Sequence, residues 1–88
     1  MALYFAKYII FLFRDMFDKT HLLRLAQVKM PFGKYAGRVI IDLPEEYLLW
    51  FERKGEFPQG EIGELMQIAL ALKIEGLDGL VKPLKDRP

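Results

Sequence analysis

Cysteine and serine are both missing from the 88 residues, and there is one threonine, Thr20, and one histidine, His21. Without cysteine the chain has no disulfide, no thiolate nucleophile and no zinc–sulfur site, which fits a reducing cytoplasm. Without serine the usual hydroxyl nucleophile is gone as well, and the one threonine, Thr20, sits at a helix start. His21 has no second imidazole to join it as a metal ligand, so a solvated first-turn residue is the plainer reading. Net charge is also nearly absent: 13 Lys and Arg against 12 Asp and Glu leave +1. That balance excludes a globally basic nucleic-acid coat protein.

No apolar run is long enough to span a bilayer. Residues 1–13, MALYFAKYIIFLF, are apolar except for Lys7, but as a helix they would rise only about 20 Å against a hydrocarbon core of about 30 Å. A secretory signal is excluded too. No basic region precedes the run, and Arg14-Asp15 stands where a small-residue cleavage site belongs. Two readings remain for residues 1–15: an apolar N-terminal helix, or a stretch upstream of a native start at Met16. The second agrees better with FDKTHLL as a domain beginning. The expected organisation is an extension over 1–15, one domain over 16–84 and a frayed tail over 85–88.

What is present is a hydrophobic fraction of 52%, enough for a compact domain rather than disorder. A chain this short buries only about 60% of its unfolded surface, so the core is thin. The charges are sorted along it. Between residues 19 and 41 lie Lys19, Arg24, Lys29, Lys34 and Arg38 with no acid. Between 42 and 64 lie Asp42, Glu45, Glu46, Glu52, Glu56, Glu61 and Glu64 against only Arg53 and Lys54. Either the two segments fold together and neutralise one another, or the first presents an anion-binding face.

Asp18 is placed to cap a helix over residues 19–28, with Leu22, Leu25 and Ala26 as its apolar stripe. Pro31 closes it. Gly33, Gly37 and the β-branched Val39-Ile40-Ile41 then suggest a short hairpin, with strands over 30–34 and 38–41 and a turn at 35–37. Pro44 opens a helix over 45–54, Glu45 and Glu46 suit its positive end, and Gly55 stops it. On that helix Tyr47, Leu48, Trp50 and Phe51 share a broad face, more often core than a stacking platform. A longer helix covers 61–75 and ends at Gly76-Leu77, with Gly63 in its first turn marking a close approach of another element. Leu77, Leu80 and Leu84 suggest a docked tail. The expected fold is therefore a small α+β domain, mainly helical with three to four helices and one β-hairpin around residues 30–41.

Catalytic groups are not evident. Glu45 and Glu46 fit a helix-dipole role, and Glu61 and Glu64 share a helical face that could hold a cation but equally serves the helix start. The reading is of a non-enzyme with no metal and no cofactor. The remaining constellation is Phe32-Gly33-Lys34-Tyr35-Ala36-Gly37-Arg38. Two glycines let backbone N–H groups converge on an anion, while Lys34 and Arg38 add charge and a bidentate fork. The spacing is not that of a P-loop. The plainer alternative is a turn whose glycines supply positive φ, with Phe32 and Tyr35 packed inward.

Met30-Pro31-Phe32-Gly33-Lys34-Tyr35, Gly37-Arg38, Asp42-Leu43-Pro44, Tyr47-Leu48-Leu49-Trp50-Phe51 and Gly60-Glu61-Ile62-Gly63 together resemble a small bacterial family described as quorum-sensing-regulated virulence factors. The resemblance covers about residues 17–84, and residues 1–15 depart from it. Over residues 32–51 the chain is also similar to the C-terminal domain of exodeoxyribonuclease X-like exonucleases. The resemblance implies a one-domain cytoplasmic α+β protein. From the exonuclease tail, which lacks catalytic acids, it implies at most a binding role for Lys34, Tyr35, Gly37 and Arg38.

The leading expectation is a binding module that contacts nucleic-acid phosphates through Lys29, Lys34 and Arg38, with Gly37 shaping the loop and Tyr35 stacking on a base. The rival is a module that binds another protein or itself through exposed apolar side chains. Attachment to a membrane surface through residues 1–13 ranks last.

Overall fold

The computed structural model describes residues 18–86, so the readings of residues 1–15 and of the last two residues lie outside the described part. Helix α1 is Lys19–Gln27. The Asp18 carboxylate accepts the N–H groups of Thr20 and His21 at 2.8 and 3.3 Å, the cap expected of it. Helix α2 is Glu45–Lys54, the bounds expected of it, with Pro44 at the N-cap. It stops at Gly55, whose φ of 71° lets its N–H turn back onto the last carbonyls. Helix α3 is Glu61–Ile74.

Helix α3 is the centre of the fold. Leu65, Met66, Ile68, Ala69, Leu70, Ala71 and Leu72 are all buried, so it is apolar on most of its circumference. It packs against α1, α2 and a 3₁₀ turn at Ile40–Asp42. Leu25 from α1, Leu48 from α2 and Met30, Ile40, Ile41 and Leu43 from the connection complete the core with Val81. Each such side chain contributes about 1.5–3 kcal/mol of transfer free energy before the entropy of ordering it is subtracted. Two further 3₁₀ turns, Asp78–Leu80 and Lys82–Asp86, fold the tail back. The second packs on α1, and Lys85 is tied to Asp42.

The expected α+β class with a hairpin is not what forms. Among the described residues there is no strand, only an isolated antiparallel bridge between Lys29 and Val39. Met30 N–H donates to Arg38 at 2.8 Å, Gly37 N–H to Met30 at 2.8 Å and Ile40 N–H to Val28 at 2.9 Å, and these three bonds are the whole of the pairing. On one side Arg38 N–H turns back to Tyr35, and Gly37, at a φ of 90°, bonds Met30 in its place, which bulges and ends the ladder. On the other, Ile40 and Ile41 are both fully buried. A strand would send consecutive side chains to opposite faces, whereas a 3₁₀ turn turns both into the core. Burial of the pair overrides their β propensity, and the domain is helical.

No described helix is long and apolar enough to cross a membrane.

Candidate functional site

The bridge between Lys29 and Val39 closes the neck of a loop. Inside it Gly33 and Gly37 take φ of 79° and 90°, and Ala36 and Arg38 donate N–H groups back to Gly33 and Tyr35. The segment thereby coils into a surface turn, exposed at residues 31–34 and 36–38 and anchored on the core by Tyr35 and Val39. Lys29, Lys34 and Arg38 are exposed on it. Among the described residues, none of the three has a carboxylate oxygen within 4.0 Å. The two charged segments of the sequence do neutralise one another, but elsewhere. Arg24 holds Glu61 with Nε and Nη2 at 2.9 and 2.7 Å, and His21 Nε2 lies 3.4 Å from Glu64. The carboxylates of Glu61 and Glu64, weighed as a cation site, are thus engaged by α1. That hydrogen bond from Arg24 holds the Glu61 carboxyl below its usual range, and in return Glu61 raises the guanidinium.

Tyr35 sits at the base of the cations. The Lys34 ammonium lies 5.5 Å and the Arg38 guanidinium carbon 4.8 Å from its ring centroid. Its edge meets Tyr47 of α2 at 4.8 Å and 72°, and Tyr47 continues to Phe51 at 5.1 Å and 87°. Burial raises the Tyr47 hydroxyl above its ordinary value, with Tyr35 adding to the effect, so it stays a proton donor. The row ends at Trp50, 5.0 Å from Phe51, with the Lys54 ammonium 4.5 Å from its ring.

The aromatic face of α2 is therefore divided. Leu48 is buried, Tyr47 and Phe51 are half-buried, and Trp50 leaves 51% of its surface open. Phe32, weighed as an inward-packing residue, is 46% exposed. Between the loop and α2 lies an open groove of about 520 Å³ lined by Lys34, Tyr35, Pro44, Glu46, Tyr47 and Trp50. A second cleft of about 470 Å³, at the loop before α3, carries Glu52 and Glu64 and no lysine or arginine, the wrong sign for an anion. Of the residues singled out by sequence, Lys34, Tyr35 and Arg38 come together; Lys29 stands at the neck, and Gly37 allows the turn. Glu46, Tyr47 and Trp50 were missed as site residues. A signal for them existed: Glu46, Trp50 and Lys54 recur at i, i+4 spacing, a stripe with polar neighbours that marks the outer face of α2. Among the described residues no group of three or more metal-ligating side chains gathers.

The family model described as "Putative quorum-sensing-regulated virulence factor" matches residues 18–84. The chain belongs to this family. Two relatives share its scale: the "Uncharacterized protein YpeB" of Escherichia coli K12 and that of Escherichia coli O157:H7, each 65% identical over 68 residues, covering 77% of this chain and 94% of the relative. No solved structure matches. The family match takes in the whole loop and all three helices, whereas the likeness of residues 32–51 to exonuclease tails is not confirmed by these relatives.

Proposed function

We propose that this family member is a non-enzymatic nucleic-acid-binding module whose loop of residues 29–39 holds backbone phosphates with Lys29, Lys34 and Arg38. The observation that carries the reading is the contrast in pairing. Arg24, Lys73, Lys82 and Lys85 are tied to carboxylates, while the three loop cations, like Lys19, Arg53 and Lys54, have none within 4.0 Å among the described residues; the loop gathers three of these onto one coiled turn. Exposed cations without a carboxylate partner are free to displace condensed counterions from a phosphate chain. Arg38 brings the planar fork suited to a phosphate, and Lys34 a mobile point charge. The absence of cysteine and serine supports a binding rather than a catalytic role, and suits the cytoplasm we propose as its compartment.

Fluorescence anisotropy with labelled single- and double-stranded oligonucleotides tests this. With three phosphates neutralised, affinity should fall roughly 20-fold on single strands and roughly 40-fold on duplex between 50 and 200 mM salt. Absence of binding at low salt to either form overturns the reading.

A second reading, self-association or docking of another protein, rests on the exposure of Phe32, Trp50, Ile74 and Leu80, between 42% and 51% each. Sedimentation that finds a monomer at all concentrations, with no partner retained, would remove it.

A further inference from the structure

We infer that the groove between the loop and α2 receives one unpaired base, so that the ligand class is single-stranded nucleic acid and Glu46 selects the base; this rests on the phosphate-binding reading above. The cations alone would serve any nucleic acid. The groove would not. Its lining combines two tyrosine rings, Pro44 and an indole half open to solvent, with Lys34 and Glu46 as the charged members. Its volume of about 520 Å³ falls within the range of roughly 300–1,000 Å³ typical of clefts that hold small organic groups. Bases in a duplex are stacked on both faces and offer no π surface to Trp50, whereas a base in a single strand does. Lys34 stands in the groove lining and also reaches over Tyr35, as Arg38 does, so the phosphate flanking a base held there would meet positive charge.

Glu46 gives the groove a chemical preference. An ionised carboxylate only accepts hydrogen bonds, so it repels phosphate and favours a base edge rich in donors. Guanine places N1–H and its 2-amino group side by side, matching the two carboxylate oxygens. Adenine and cytosine offer one amino group next to a lone pair. In thymine or uracil the single N3–H lies between two carbonyl oxygens that face the carboxylate unfavourably. The expected order is guanine, then adenine and cytosine, then thymine or uracil, with about 10-fold between the extremes, a typical value for one good bidentate base contact.

The test is anisotropy on the full chain with a short labelled oligothymidine carrying a single central guanine, adenine, cytosine or thymine, the corresponding oligouridines, and a duplex of the same length. The guanine strands should bind best in both the DNA and RNA series, and both single-strand series better than duplex. Trp50→Ala should weaken single-strand binding about 10-fold and leave duplex binding unchanged. Glu46→Gln should reduce the guanine preference to twofold or less. Both side chains are exposed, so neither change disturbs the core. Equal affinity for all central bases and for duplex, with normal salt dependence, would overturn the base groove and leave the phosphate-binding loop standing. No salt-dependent binding to any oligonucleotide would overturn both. Retention of a proline-rich peptide that Trp50→Ala abolishes, with no discrimination among bases, would reassign the groove to peptide.

Discussion

Gly63, in the first turn of α3, lies directly under the carbonyl of Pro58: a β-carbon on Gly63 would sit 1.8 Å from that oxygen and 2.9 Å from the carbonyl carbon. Both obstructing atoms are backbone, so no side chain can swing aside. Alanine would otherwise favour this helix by up to about 1 kcal/mol over glycine. The collision reverses the sign. Gly63→Ala is expected to cost about 2 kcal/mol net, hence lower the melting temperature by roughly 10 °C. Thermal unfolding followed by circular dichroism measures it, and an unchanged or higher midpoint would mean that the loop before α3 yields.

The pairing of Arg24 with Glu61 predicts a pH dependence. Glu61 is held below the ordinary glutamate value near 4.5, mainly by the hydrogen bond from Arg24. A carboxylate depressed in the folded state contributes stability that is present above its unfolded pKa and is lost as pH falls through the lower folded one. Acidification below about 4.5 should therefore weaken the α1–α3 contact. Both groups are exposed, so the effect is small and screened by salt. Urea midpoints should fall less steeply with acid in Glu61→Gln and in Arg24→Met than in the parent, and the double variant should show no further change. An additive double variant would show that the pair is not the source.

Helix ends were legible in the residues because caps are local chemistry. Asp18 accepts its N–H groups within three positions, and Gly55 and Gly76 take positive φ where a helix must stop. The hairpin was misread because Val39-Ile40-Ile41 carries β propensity, while the deciding term is the simultaneous burial of Ile40 and Ile41, a tertiary fact. The acid-free window was visible too, but not which of its cations would be claimed. Glu61 reaches Arg24 across 37 residues, and no described carboxylate reaches Lys34 or Arg38. Spacing likewise gave the aromatic face of α2, and Trp50 is its open member because it shares the polar Glu46–Lys54 stripe, a signal outweighed by its aromatic neighbours.

The two loop glycines should respond differently to alanine. At Gly37, φ is 90° and a β-carbon would meet nothing within 4 Å; at Gly33, φ is 79° and it would press on the Tyr47 hydroxyl at 3.3 Å. Gly37→Ala is expected to cost about 1 kcal/mol from backbone strain alone. Gly33→Ala adds the displacement of Tyr47 to a similar strain, so its cost should be larger. Chemical denaturation ranks the pair, and tyrosine fluorescence should change in Gly33→Ala but not in Gly37→Ala. Equal effects on both measurements would mean that Gly33 and Tyr47 are not coupled.

Arg24 and Arg38 come from the same basic stretch of sequence and should nevertheless behave as opposites toward nucleic acid. Arg24 already spends two donors on Glu61, and a phosphate would have to compete with a carboxylate that returns to it at once. Among the described residues the Arg38 guanidinium meets the face of Tyr35 and no carboxylate within 4.0 Å, which leaves its N–H groups available to an anion. Each cation that neutralises a phosphate adds about 0.7 on single strands, or about 0.9 on duplex, to the slope of log affinity against log salt. Lys34→Ala and Arg38→Ala should therefore each lower that slope by nearly one and weaken binding at low salt. They should do so for every sequence alike, since phosphate contacts do not read bases. Arg24→Ala should leave both slope and affinity where they were. If Arg24→Ala flattened the slope as much as Arg38→Ala, the pairing in the folded chain would not decide which cations meet the phosphates, and the loop would have no special claim to them.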